Sequence, residues 1–313
     1  MAINSIATAS KYTGELDKLY VQKAVTGFFA DNAFGAKFVG AKTVVIPDVD
    51  FVGLADYDRD TGFARAKMTV AQTSYTLTMD RGRSIQVDRE DMDETGVANL
   101  AGQVMGEYVR TKVVPECDAY VLSKLAGIAK TKSHNKTYAA ATIVADILDT
   151  INSVQDAAGY DEDIVAFVDP AAYAKLMTTT ELSRQIDIGN FKQGGIDFKV
   201  KQINGVPIIP VNAARMKSAY TFSDGKTSGA NDTTKGGFAP TTDAVQVHAI
   251  ILPKKACSLV KKTEKMRIFT PDQNLDADAY KFDYRIYYDA LVKKSMLNTI
   301  YSIAEAPTVT PGG

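Results

Sequence analysis

The sequence predicts an α+β fold, in which one long helix lies beside long extended strands and a compact α/β unit is inserted between them. Three patterns point there. From Tyr75 to Asp88 the residues alternate. Tyr75, Leu77, Met79, Arg81, Arg83, Ile85 and Val87 fall on one side, while Thr76, Thr78, Asp80, Gly82, Ser84, Gln86 and Asp88 fall on the other. That is the period of a strand with one face buried. Val97, Leu100, Val104, Tyr108, Cys117, Val121 and Leu125 recur at helical spacing. Between residues 139 and 212, helical and strand patterns take turns.

In chain order, Leu16, Leu19, Tyr20 and Lys23 recur at helical spacing, and Phe28 and Phe29 follow a glycine. Residues 1–37 therefore read as a short amphipathic arm whose apolar tip needs cover. KTVVIPDV (Lys42–Val49) is a strand that Pro47 stops or places at a sheet edge, because proline cannot donate to a ladder. GLADYDRDTGFARAKM (Gly53–Met68) is rich in Asp, Arg and Gly, and reads as a solvated or partner-facing loop. Met68 and Val70 lie on even positions whereas Tyr75 onward uses odd ones, so a bulge or bend is expected across Ala71–Ser74. The ribbon is longer than the usual strand of about 5–6 residues. With Arg81 and Arg83 in the middle of its apolar face, it raises the question of what it lies on.

Acidic residues and Thr95 precede the helical pattern as a start signal. Pro115 is expected to kink or divide that helix, since it removes a backbone donor and crowds the preceding turn. A polar break follows at 130–138. ATIVADILDTINSVQDAAG is an amphipathic helix stopped by Gly159, EDIVAFVDP a buried strand, and Pro170 opens another helix. Asn204-Gly205 marks a hairpin. Residues 223–240 read as a long exposed loop, AVQVHAIILP as a strand, and Tyr280, Phe282, Tyr284, Ile286 and Tyr288 as one face of another. The tail at 305–313 is expected to be disordered.

Chemistry leaves few traces. Gly225-Lys226-Thr227 ends like a phosphate-binding loop, but Tyr220 stands where that motif needs glycine, and no helix pattern follows. His134 and His248 are the only histidines, too few for acid–base or metal chemistry built on imidazole. Asp56, Asp58 and Asp60 alternate like calcium ligands without the glycine and glutamate of a calcium loop, and Asp276 and Asp278 are weaker still. No catalytic residue, cofactor site or metal site is expected. Cys117 and Cys257 read as reduced thiols, and the sequons at Asn135 and Asn231 as chance, because the N-terminus lacks the apolar stretch of a signal peptide. No window approaches the ~18 apolar residues of a membrane span, so a soluble protein made in a cytoplasm, without a membrane partner, is expected. With 36 basic against 37 acidic residues, the chain as a whole does not grip nucleic acid by net charge.

The order of segments resembles the major capsid protein of tailed bacteriophages, the Hong Kong 97-type capsid fold also found in encapsulin shells. INGVPIIPV (Ile203–Val211) is similar to the strand–turn–strand of that family's axial domain, and FDYRIYYDALVKK (Phe282–Lys294) to its closing peripheral strands. The resemblance implies an N-terminal arm at 1–37 and the first part of a peripheral domain at 38–137. That part holds an extended loop at 56–91 and a spine helix at 96–129. An axial domain follows at 138–245, then the second part of the peripheral domain at 246–304. It implies hexamers and pentamers of this chain tiling an icosahedral shell around double-stranded DNA held without sequence-specific contacts. The roughly 15 residues before Leu16 are too few for a built-in scaffold, so a separate scaffolding protein or removal by a protease is implied, beside a portal and a decoration protein.

Phe28, Phe29, Tyr75, Leu77, Met79, Ile85 and Val87 are then expected to be covered by a neighbouring subunit. Arg59, Arg65, Arg81 and Arg83 would meet acidic groups around Asp88, Glu90, Asp91 and Asp93 of the next copy. Lys67 lies in the same loop, but no partner asparagine is identifiable and no cross-link is expected. The other readings are an encapsulin-like nanocompartment shell and, in another class, a cytosolic binding domain or unrecognised hydrolase.

Overall fold

The computed structural model describes residues 24–32, 34, 36–40, 42–50, 52–60, 62–65, 67–90, 105–178, 186–193, 196–228 and 233–306. Outside these lie most of the amphipathic arm, Asp91, Asp93, the start of the expected spine helix, Asn231 and nearly all of the tail.

The chain enters through a short turn, Gly27–Asp31, whose Phe28 and Phe29 are buried. Strands β1 (Lys37–Val39), β2 (Thr43–Asp50) and β3 (Thr69–Thr76) form an antiparallel sheet with β2 in the middle. β1 pairs only with Thr43–Val45, so from Ile46 onward β2 has β3 as its single neighbour. Pro47 lies in the part of β2 that β1 does not cover, so the strand is at a sheet edge there, as the sequence reading expected. The β2–β3 register runs unbroken from Thr43↔Thr76 to Asp50↔Thr69. The expected bend at Ala71–Ser74 is therefore absent, and the chain turns instead at Leu77–Thr78.

β4 (Met79–Asp88) follows, and then a helix described from residue 105. A π-helical turn at Val109–Val113 leads into α1 (Val114–Thr131). The extra residue in that turn accommodates Pro115, which has no N–H to donate and whose ring crowds the carbonyl four residues back. The helix continues through the proline instead of dividing there. Val114, Cys117, Val121, Leu122, Leu125 and Ala129 line its buried face at the expected spacing.

β5 (Asn135–Thr137), α2 (Ile143–Ala158), β6 (Ile164–Val168) and α3 (Pro170–Thr178) come next. Asp169 caps α3 by accepting from the Ala172 N–H at 2.9 Å, beside Pro170 in the first turn. β7 (Ile186–Gln193), β8 (Ile196–Ile203) and β9 (Val206–Pro210) meander antiparallel. Asn204 and Gly205 make the predicted tight turn with φ of 52° and 77°, conformations that asparagine and glycine tolerate. β10 (Tyr220–Phe222) and β11 (Phe238–Pro240) form a small hairpin around the Gly-rich loop. β12 (Val247–Pro253), β13 (Cys257–Phe269), β14 (Ala279–Val292) and β15 (Tyr301–Ala304) complete the chain.

Two larger sheets organise these elements. The seven-stranded sheet has the order β5-β15-β12-β6-β9-β8-β7. Every residue of β6 and β12 is buried, because each face of this sheet is covered. Ile164, Ala166 and Val168 pack with Ile143, Ile147, Ile151 and Leu176 of α2 and α3. The alternate residues Val165 and Phe167 join Phe28, Phe29, α1 and the aromatic face of β14. The sheet corrects the expected domain boundaries. β12 pairs with β6 from Ala249↔Val168 to Pro253↔Ile164, and β15 pairs with both β12 and β5. Residues 135–137, 247–253 and 301–304 thus share the sheet of the α/β unit and do not fall in the flanking segments.

The three-stranded sheet β13-β14-β4 packs its inner face on α1. Tyr280, Phe282, Tyr284, Ile286 and Tyr288 do lie on that face, all buried but for a half-exposed Tyr280. Among the described residues no helix is long and apolar enough to cross a membrane, and no group of three or more His, Cys, Asp or Glu is placed to hold a metal ion.

Candidate subunit-contact surface

The ribbon of alternating residues has its cover within its own chain. β4 pairs along its whole length with β14, from Met79↔Tyr288 to Asp88↔Ala279. The approach is close: a Cβ on Gly82 would lie 2.9 Å from the Tyr284 carbonyl oxygen, so only glycine fits. Met79 is buried, and Ile85 and Val87 are half-buried against the same core. Leu77 is buried with Val44, Ile46, Tyr287 and Leu291, and Tyr75 packs beside them and donates its hydroxyl to the Val292 carbonyl at 3.1 Å. These five apolar positions therefore have little surface left for a neighbour.

The arginines in the middle of that face are likewise explained from within. Arg81 donates Nε and Nη2 to the two carboxylate oxygens of Glu116 at 2.6 and 3.3 Å, and Nη1 to the Ser223 carbonyl at 2.7 Å. Its side chain is 23% exposed and that of Glu116 is 13%. The arginine thus ties β4 to α1 and to the loop between β10 and β11. Arg83 is exposed and lies against the same loop, its Nη1 3.0 Å from the point where a side chain on Gly225 would begin. The loop is therefore folded over the strand. Asp224 organises it by accepting from the Lys226 and Thr227 N–H groups and from the Thr227 and Thr233 hydroxyls, and these bonds hold its carboxyl far below the usual range.

Phe28 and Phe29 are also corrected. Phe29 has no exposed surface, and both rings pack on Phe167 of the central sheet at 6.0 Å. Asp118 on α1 fixes this segment, accepting from the Thr26 N–H at 3.1 Å, the Thr26 hydroxyl at 2.7 Å and the Val25 N–H at 3.2 Å, while Arg215 approaches at 3.1 Å. Full burial pushes the Asp118 carboxyl upward, and these partners oppose that shift.

Uncovered apolar surface lies elsewhere, on the stretch from β1 through the loop between β2 and β3. Phe38, Val39, Val52, Leu54, Tyr57, Phe63, Met68 and Val70 are all exposed, Phe63 at 84% and Leu54 completely. The loop tip is not random. Gly62, at φ 79°, donates to the Asp58 carbonyl at 2.8 Å, and the Asp60 N–H donates to the Asp58 side chain at 2.8 Å. This turn holds the Tyr57 and Phe63 rings 4.9 Å apart as a preformed aromatic knob. Asp58, one of the aspartates that resemble calcium ligands, is thus a turn-former. Arg59, Arg65 and Lys67 are exposed beside the knob. Asp88 accepts from the Glu90 N–H, Glu90 is exposed, and Arg89 reaches Asp278 at 3.8 Å.

The root of this projecting unit is anchored by Asp289, 1% exposed, which accepts from Thr78 N–H and Oγ1 at 3.1 Å, from Tyr120 at 2.8 Å and from Lys124 at 2.5 Å. The sequence reading made Gly53–Met68 a solvated or partner-facing loop through its charged residues but named none of its apolar ones, because these lack periodicity and sit among Asp, Arg and Gly. The usable signal was Leu54, Phe63 and Met68 standing inside an otherwise polar loop.

No family model matches the chain, and no curated protein is similar to it in sequence. Solved structures are similar in fold. The capsid structure of Staphylococcus phage Andhra superposes with a TM-score of 0.58 at 13% identity, over 86% of this chain and 82% of that one. The capsid of cyanophage P-SCSP1u gives 0.54 at 13%, over 87% and 85%, and the mature capsid of bacteriophage PhiM1 gives 0.52 at 14%, over 85% and 82%. The chain therefore has the tailed-phage capsid fold along most of its length.

Proposed function

We propose that this chain is the major capsid protein of a tailed bacteriophage, the repeating subunit of its head shell. The observation that carries this reading is the preformed, uncovered apolar stretch from Phe38 to Val70, projecting from a chain with the capsid fold. Copies of the chain supply the missing cover, arranged as hexamers and pentamers. A standard contact buries about 1,600 Å², and a subunit with several neighbours buries more. Exposed charge pairs at Arg59, Arg65 and Lys67 contribute about 0–1 kcal/mol each, weak enough for misplaced subunits to leave. The shell encloses double-stranded DNA without reading its sequence, and a scaffolding protein, a portal and a decoration protein act with it. The role is structural and not catalytic.

Expression of the chain followed by sedimentation and negative-stain electron microscopy tests this. Closed shells are expected. A species that stays at 33.8 kDa at high concentration overturns the reading. Shells that carry a bound enzyme and no DNA in infected cells turn it toward a nanocompartment.

A further inference from the structure

A cavity of about 510 Å³ opens between β4, the start of α1, the β10–β11 loop and β14. Its volume lies in the range of small-ligand sites, roughly 300–1,000 Å³. Val113, Pro115, Phe238 and Ile286 contribute an apolar floor, glycines of β4 and of the loop bring backbone to the wall, and charged side chains stand around it.

Among the described residues two carboxylates line this space, and both are already engaged. Glu116 is taken by Arg81, and Asp224 by four donors of its own loop. Three further cations line it: Arg83, Lys112 and Lys235. None of them stands in an ion pair among the described residues. Gly225 and Gly236, at φ 73° and 65°, bring the loop backbone beside the Arg83 guanidinium, and a side chain at Gly225 would crowd it. Tyr108 adds a phenol at the wall. Its burial raises the hydroxyl above its ordinary range, so it stays a neutral donor.

The cavity thus concentrates positive charge around a concave space whose described carboxylates are already engaged. We propose that it is an oxyanion site that takes a phosphate group, whose oxygens face Arg83, Lys112 and Lys235. A phosphate with charge near two matches three cations better than a carboxylate with one, and the planar arginine fork suits its paired oxygens. The site does not depend on the shell reading, because its lining comes from a single chain.

Calorimetric titration of the intact chain with sodium pyrophosphate at low ionic strength tests it. One saturable site per chain is expected. Arg83→Gln and Lys112→Gln each weaken binding about tenfold or more, whereas Lys112→Arg retains it. All three positions are exposed on the chain, so the variants keep their melting temperature. The control is Lys265→Gln with Arg267→Gln, which removes two charges from a separate pocket. Absence of saturable binding overturns the site, and so does equal weakening in the control, which would mean bulk Coulomb attraction alone. A short DNA duplex distinguishes the source of the phosphate. Displacement of pyrophosphate assigns it to a nucleic-acid backbone, and retention of pyrophosphate assigns it to a free phosphate compound.

Discussion

Strand β4 and the loop between β2 and β3 are both extended, both arginine-bearing and separated only by residues 69–78, yet they have opposite surroundings. β4 is the edge of a three-stranded sheet, with Met79 buried and Arg81 clamped by Glu116. The loop presents Leu54, Tyr57, Phe63 and Met68 to solvent. Alternation showed that one face of β4 is buried, and said nothing about whose surface buries it. The loop had no periodicity and therefore no burial signal, although it is the segment whose apolar side chains lack cover.

The comparison is sharpened most by substitutions in the region that proved internal. Phe29→Ala should destabilise the isolated chain by about 3–5 kcal/mol, the usual cost of emptying a large core site, read as a shift in the denaturant midpoint. A near-zero effect would mean that the phenylalanine tip waits for a neighbour, as the sequence alone suggested.

Legibility followed the range of the interaction. The turn at Asn204-Gly205, the helix start at Pro170 and the aromatic face of β14 were readable because their causes lie within a few residues. The partner of β4 was not: Arg83 lies opposite Tyr284, some two hundred positions away, and no local pattern encodes that pairing. The same holds for β12. That it is a strand was visible, but its place beside β6, which moves the expected domain boundary, is a tertiary fact. Of the expected contact residues, Arg59, Arg65 and Lys67 are exposed on the loop, whereas the apolar ones are buried or half-buried within their own chain.

Arg81→Glu comes next in size. It sets a carboxylate against Glu116 and leaves the carbonyls of Ser223 and Gly237 without their donor. The expected loss is about 3 kcal/mol, measured on the monomer, since breaking one side of a largely buried pair strands the other. If assembly fails while monomer stability is unchanged, Arg81 belongs to an interface after all.

The exposed pair on the far side of the same strand provides the contrast. Arg285 donates to both oxygens of Asp80 at 2.8 and 2.6 Å, and this hydrogen bonding holds the carboxyl below its ordinary value of 3.8. A depressed carboxyl stabilises the fold above its unfolded pKa and loses that contribution as pH falls through the folded one. Asp80→Asn should therefore cost less than about 1 kcal/mol near pH 6, and the difference from the parent should vanish in unfolding curves taken well below pH 3.8.

The smallest effect on stability belongs to the region that proved external. Leu54→Asp with Phe63→Asp removes apolar side chains that touch little in their own chain, so the monomer should change by less than about 0.5 kcal/mol. Large apolar surface that rests on nothing is costly to keep unless something covers it. If copies of the chain provide the cover, the double variant loses closed particles in sedimentation and electron microscopy while its melting curve stays that of the parent. The opposite pattern, a destabilised monomer that still assembles, would place these side chains inside the subunit and remove the distinction between β4 and the loop. Only a variant that is silent in the monomer and disabling in the assembly separates a surface kept for partners from a surface that merely happens to be exposed.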